Sequence, residues 1–146
     1  MATIRIRTRL RHFNLLTRIT RVSTNGMSAI ADLQRMPLYC GLEAMAQLAA
    51  LHVRHCVDFQ RHAFLLKVNR CRWPHRDALQ GGCRLTADRY GQSSHGFAYR
   101  VQAEMPRGGI LDADLLIGTR PYDLGFREDM LKAQYRNFFN RLLGNG

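Results

Sequence analysis

The stretch from Leu42 to Val57 constrains this chain most: it contains no Gly or Pro, and nearly every residue in it is apolar or small. A helix that is apolar almost all round must be buried, because no face of it prefers water. Its few polar residues, Glu43, Gln47 and Arg54, fall at i, i+4 and i+11, which groups them on one face. Whatever encloses such a helix has to present apolar surface on most of its sides, and the sequence around it reads as β-structure.

Before the helix, residues 13–22 (FNLLTRITRV) are rich in apolar and β-branched types and read as a strand. Asn25-Gly26 is a short hairpin signal, and residues 27–33 form the returning strand. After the helix, residues 62–73, 83–90, 95–104 and 110–119 read as four further strands. Short turns at Gly91–Ser94 and Pro106–Gly109 separate the last three, which predicts an antiparallel meander. A terminal helix is expected over 124–143. Asp123 can cap it, Phe126, Met130, Ala133, Phe138 and Leu142 recur at roughly helical spacing, and Gly144 stops it. The fold class is therefore α+β: one antiparallel sheet curled around a long central helix, with an extra C-terminal helix and an edge strand left to pair in a dimer.

A chain of 146 residues fits one domain, 1–146, with one core. No apolar run reaches the ~18–20 residues that span a bilayer, and no signal peptide is recognisable. None of the four cysteines forms a C-x-x-C pair, so a zinc site is not expected, nor any other metal or cofactor. Reduced thiols and a cytoplasmic location are the expectation.

The net charge is +11, from 22 basic against 11 acidic residues, and only Lys67 and Lys132 among the basic ones are Lys. Such a balance attracts acidic proteins or nucleic acid. Residues 1–11 alternate Ile4, Ile6, Thr8 and Leu10 with Arg5, Arg7, Arg9 and Arg11, the pattern of a strand with one solvated face. A basic arm and an Arg-rich targeting segment are the other readings of that stretch. Arg70, Arg72, Arg76, Arg84, Arg89 and Arg100, interleaved with Trp73, Tyr90, Phe97 and Tyr99, could make a basic patch loosely like a single-strand nucleic-acid surface, although no nucleic-acid motif accompanies them.

The run Pro37-Leu38-Tyr39-Cys40-Gly41-Leu42-Glu43-Ala44-Met45-Ala46-Gln47 resembles the helix start of the hotdog-fold 3-hydroxyacyl-acyl-carrier-protein dehydratases, and Ala63-Phe64-Leu65-Leu66 is similar to the strand that follows their central helix. The resemblance covers roughly residues 13–119. It implies removal of water from a 3-hydroxyacyl thioester on acyl carrier protein (ACP) or CoA, with a His and an acidic residue supplied by opposite subunits of a dimer. It places Glu43 at the acidic position, Cys40 and Gly41 in the loop whose N–H groups meet the thioester carbonyl, and Gln47 one turn on, beside the substrate or hydrogen-bonded to Glu43. Donors at a helix start suit that chemistry, because proton abstraction next to a carbonyl builds charge on its oxygen.

In one respect the chain departs from the family. The family His precedes the acidic residue by a dozen or so positions, yet residues 27–37 read MSAIADLQRMP, with no His between His12 and His52 and with Arg35 nearest the expected place. Three functions follow. The first is an acyl-thioester-binding protein impaired in catalysis alone and paired with an active hotdog subunit. The second is a dehydratase or thioesterase with a rearranged site. The third is a non-enzymatic basic module for nucleic acid or an acidic protein.

Overall fold

The structure, a computed structural model, describes residues 14–73, 81–106, 108–122 and 128–144. Strand β1 (Leu16–Val22) and strand β2 (Gly26–Asp32) form a hairpin. Helix α1 (Leu38–Cys56) follows, then β3 (His62–Arg72), β4 (Gly82–Gln92), β5 (Gly96–Glu104), β6 (Ile110–Arg120) and helix α2 (Glu128–Leu142). The six strands make one antiparallel sheet in the order β1-β2-β4-β5-β6-β3, so among the described residues β1 and β3 are its edges. The N-terminal strand, the Asp123 cap, Phe126 and Arg76 all fall outside the described residues.

Period-2 alternation decides which strand face meets the helix. Met27, Ala29 and Ala31 of β2, Cys83, Leu85 and Ala87 of β4, Tyr99, Val101 and Ala103 of β5, and Leu111, Ala113, Leu115 and Ile117 of β6 are fully buried. Opposite them lie Ala44, Met45, Leu48, Ala49 and Val53 of α1, also with no exposure. The many alanines let the helix axis approach the sheet closely, and the larger side chains fill what remains. On α2 the packed positions are Tyr135, Phe139 and Leu142, at i, i+4 and i+7, with Phe138 partly buried beside them. Met130, placed on that face by its spacing, is 59% exposed, and Ala133 is exposed as well.

Three local features differ from the sequence reading. The helix begins at Leu38, four residues before Leu42, because Pro37 in an extended conformation (φ −60, ψ 157) serves as its N-cap. The missing N–H of a proline costs nothing at a helix start. Gly41 is therefore buried inside the first turns. At the β1–β2 turn, Gly26 is required by close approach: a Cβ there would lie 2.5 Å from the Ala87 carbonyl oxygen. The arginines also divide between faces. Arg70 pairs with Asp112 at 3.1 Å and Asp114 at 3.0 Å, and Arg100 pairs with Asp114 at 3.2 Å. Phe97 and Tyr99 face the core, so the arginine–aromatic contacts split between the faces, with Arg89 over Phe97 on the inner side and Arg100 over the exposed Tyr90.

The hydrogen bond from Arg70, helped by Arg100, holds the Asp114 carboxyl below its ordinary range. Its stabilising contribution is thus complete above the unfolded carboxylate value of ~3.9 and is lost as pH falls through the lower folded value.

The core makes a direct prediction. Leu48→Ala, at a fully buried site facing the sheet, should lower the unfolding free energy by ~2–5 kcal/mol through lost transfer energy and the cavity left behind. Urea unfolding of the variant, with native circular dichroism retained, measures this. A loss under ~0.5 kcal/mol, the range of surface changes, would show that α1 is not enclosed.

Candidate functional site

At the start of α1, Glu43 is exposed and accepts a hydrogen bond from Gln47 Nε2 at 3.2 Å. Gln47 Oε1 accepts the Leu15 N–H at 3.0 Å, which ties the segment entering β1 to this face of the helix. One turn before Glu43, Tyr39 is 66% exposed. Tyr39, Glu43 and Gln47 thus form a stripe at i, i+4 and i+8, and its first two members face outward.

The same stripe continues to Arg54, which is buried, lies 3.6 Å over the Tyr135 ring of α2 and donates to the Ala63 carbonyl at 2.9 Å. Helix α2 therefore covers the C-terminal part of the stripe and leaves the N-terminal part open.

Cys40 is buried, and burial, followed by the nearby Glu43 charge, pushes its thiol up from the ordinary value. Its N–H donates to the Pro37 carbonyl at 3.0 Å. Because the helix starts early, Cys40 and Gly41 are helical residues, and the N–H groups left without a partner in the helix are those of Leu38 and Tyr39. The loop before the helix, residues 33–37, is short. It turns on a Met36 N–H to Leu33 carbonyl bond of 3.0 Å and is held to Gly81 by a 2.7 Å bond onto Gln34 Oε1. Arg35 stands exposed at its tip with φ +62.

No described histidine reaches this end of the helix. His52 and His55 belong to its last turns, His62 opens β3, and His95 lies in the β4–β5 turn. His12 and His75 are outside the described residues.

A second polar group, which the sequence reading did not single out as a unit, sits at the other end of α1. His52 is fully buried. Its Nε2–H donates to the Ser23 carbonyl at 2.9 Å, leaving Nδ1 to accept from the Tyr99 hydroxyl at 2.6 Å. Cys56 Sγ lies 3.6 Å from Nε2 and 3.8 Å from Nδ1. Near-equal distances place the sulfur on neither nitrogen's lone-pair direction, and with both nitrogens engaged His52 has no free position to take the thiol proton.

Arg89 Nη1 donates to the same sulfur at 3.5 Å. Partial desolvation of the otherwise exposed Cys56 raises its thiol despite Arg89, and burial pushes the Tyr99 phenol upward. His55 stacks on Phe139 at 4.8 Å. Strand alternation puts Tyr99 and Arg89 on the inner face, but only the β2-β4-β5 pairing brings Ser23, His52, Cys56 and Arg89 together. Among the described residues, no three His, Cys, Asp or Glu side chains gather as metal ligands, and no helix is long and apolar enough to cross a membrane.

No protein-family model matches the chain, and no curated protein matches it in sequence. Solved structures do match. A thioesterase of Staphylococcus aureus, solved as a glutamine-to-alanine variant, aligns over 70% of this chain and 92% of its own, with TM-score 0.62 and 10% identity. A thioesterase of Pseudomonas aeruginosa, also a glutamine-to-alanine variant, aligns over 71% and 81%, with TM-score 0.60 and 13% identity. The dehydratase heterocomplex ApeI:P of Xenorhabdus doucetiae aligns over 77% and 85%, with TM-score 0.62 and 14% identity. At these identities the likeness is one of fold, and it agrees with the six-stranded sheet around a central helix: this chain has the hotdog fold.

The buried imidazole supplies a pH test. Burial holds His52 below the ordinary histidine value. As pH falls below ~6.5 the unfolded chain takes up this proton first, and stability drops by up to about 1.4 kcal/mol per pH unit until the lower folded value is crossed. Chemical unfolding at pH 7.5 and pH 5.5 should show a smaller loss for His52→Gln than for the unsubstituted protein. Parallel losses would mean that His52 protonates as readily in the folded state as in the unfolded one.

Proposed function

We propose that this chain is an acyl-thioester-binding subunit of the dehydratase-like type, which takes its acyl group on ACP or CoA at the N-terminal half of α1 and relies on a second hotdog subunit for the missing histidine. The observation that carries this reading is the open stripe of Tyr39 and Glu43, with Glu43 fixed by Gln47 and no described histidine beside it. The N–H groups of Leu38 and Tyr39 would meet the thioester carbonyl in place of Cys40 and Gly41, with Cys40 packed beneath. Dehydration removes a proton from the carbon next to the carbonyl and the hydroxyl from the carbon beyond it. Glu43 suits protonation of the departing hydroxyl, and the second subunit's histidine would take the carbon-bound proton.

Edge strand β3 gives that subunit a place to bind. It is eleven residues long, and Leu65, Leu66 and, just beyond it, Trp73 are at least 40% exposed. An unpaired edge with apolar side chains favours strand-to-strand pairing. The solved dehydratase heterocomplex is a precedent, within the same fold, for a dehydratase assembled as a heterocomplex. The excess of arginine suits an acidic carrier protein, and that attraction should weaken with salt as the Debye length falls from ~10 Å at 0.1 M to ~3 Å at 1 M.

A thioesterase is the second reading. It is favoured by an exposed carboxylate with a carboxamide beside it and by the thioesterases that share the fold. There Glu43 would act as base for the attacking water.

Two assays separate the readings. The protein alone should hydrate a crotonyl thioester little or not at all, since a positioned acid–base partner typically contributes ~10²–10⁴-fold. Addition of a histidine-bearing hotdog partner should restore turnover that Glu43→Gln abolishes. Robust hydration by the protein alone, lost in Glu43→Gln, would show that another residue stands in for the histidine. Thiol release from butyryl-CoA, lost in the same variant, would install the thioesterase reading.

Light scattering should find a dimer that Leu66→Lys weakens, and a strict monomer would remove the edge-strand argument. Tight RNA or DNA binding without any binding of acyl-ACP would replace both readings with a basic module.

A further inference from the structure

A cleft of about 610 Å3 opens at the C-terminal end of α1, under the β1–β2 turn. It lies 13 residues beyond Glu43, about 20 Å along the helix at 1.5 Å per residue. Its size falls within the range of metabolite pockets. Val22, Val57 and Phe97 give it apolar walls, Ser23 and Thr24 overhang it, and Arg89 lines it beside Cys56.

Arg89 is the unusual element. The core-facing row of β4 runs Cys83, Leu85, Ala87, all fully buried, and then ends in this guanidinium. Arg70 on the outer face has two carboxylates, and Asp88 next in sequence pairs with Arg21 at 3.6 Å. Among the described residues no carboxylate pairs with Arg89. Its guanidinium donates to Asn25 Oδ1 at 3.3 Å and Cys56 Sγ at 3.5 Å and reaches the Tyr99 hydroxyl, and it stands 6.0 Å from the Phe97 ring centre. Those contacts engage at most three of the five N–H donors of a guanidinium. Among the described residues Arg89 makes no hydrogen bond to a carbonyl of the helix end. The carbonyls of Val53, Arg54 and His55 are taken by the N–H groups of Val57, Phe59 and Asp58.

We propose that this cleft binds a small organic oxyanion, a carboxylate or a phosphate monoester on a short apolar stem, with Arg89 holding the oxyanion and Val22, Val57 and Phe97 enclosing the stem. A half-buried cation with donors to spare is satisfied best by an ionised acceptor, and charge-assisted hydrogen bonds are the strong ones. The site is separate from the Glu43 stripe and does not depend on an acyl-thioester function there.

Cys56 reports on occupancy, because it is exposed beside Arg89 whereas Cys40 and Cys83 are buried. Labelling with the uncharged reagent N-ethylmaleimide, followed peptide by peptide by mass spectrometry, reads each thiol separately. Hexanoate, hexyl phosphate and hexanol serve as probes. At least one of the two anions should slow labelling of Cys56 and leave Cys71 unchanged, and which one acts identifies the oxyanion. Arg89→Gln should weaken that protection about tenfold or more, as expected for loss of a charged hydrogen bond. Arg89→Lys should retain part of it, and Glu43→Gln all of it. Circular dichroism establishes that each variant is folded, and the probe comparison on the unsubstituted protein stands even if Arg89→Gln is not. Labelling unaffected by either anion, equal protection by hexanol, or full protection in folded Arg89→Gln would overturn the proposal.

Discussion

Enclosure of α1 by the concave face of one sheet is the constraint on which the rest of this molecule depends. The helix presents Ala44, Met45, Leu48, Ala49 and Val53 on several sides, and only a curled sheet can meet them all. The consequences spread outward. The strands facing the helix need small inner residues, which β2, β4, β5 and β6 supply as alanines. Among the described residues β1 and β3 are the edges of the sheet. Helix α2 packs beside β1 and over Arg54, while β3 keeps its apolar edge.

The same enclosure explains where polar chemistry can sit. Along the enclosed face of α1 water is excluded, and the ionisable side chain that lies there with no exposure, His52 in the last turns, spends both ring nitrogens on Tyr99 and Ser23. Groups free to meet a ligand are therefore confined to the two ends. At the first end a carboxylate and a carboxamide lie on an open stripe. At the second a guanidinium closes an otherwise apolar row. Each breaks the local apolar pattern, and such breaks are where function is expected.

Much of the fold was legible in the sequence because its periods are clean. All six described strands and both helices fall where alternation and helical spacing place them, and Glu43 and Gln47 are hydrogen-bonded as their i, i+4 relation suggests. The start of α1 was not legible, since Gly41 reads as a loop residue although a buried first turn accepts it without a side chain. Gly26 reads as a turn glycine, but its necessity comes from the Ala87 carbonyl on a strand far away in sequence. The cluster of Ser23, His52, Cys56 and Arg89 was hidden for the same reason: strand order is a tertiary property, and no local spacing encodes that β2 lies beside β4. On α2, helical spacing pointed to Met130, whereas the packed face is set by where Phe59 and His55 lie, and they select Phe139.

The central claim is that the N-terminal half of α1 receives an acyl thioester. Amide chemical-shift mapping with a non-hydrolysable acyl-pantetheine thioether tests it most directly, because it reports the place of binding without requiring turnover. The account predicts shifts centred on Leu38, Tyr39, Glu43 and Gln47, abolished by a bulky substitution at the open position Tyr39 that leaves the remaining spectrum intact. Saturating ligand that leaves these four amides unmoved would contradict it.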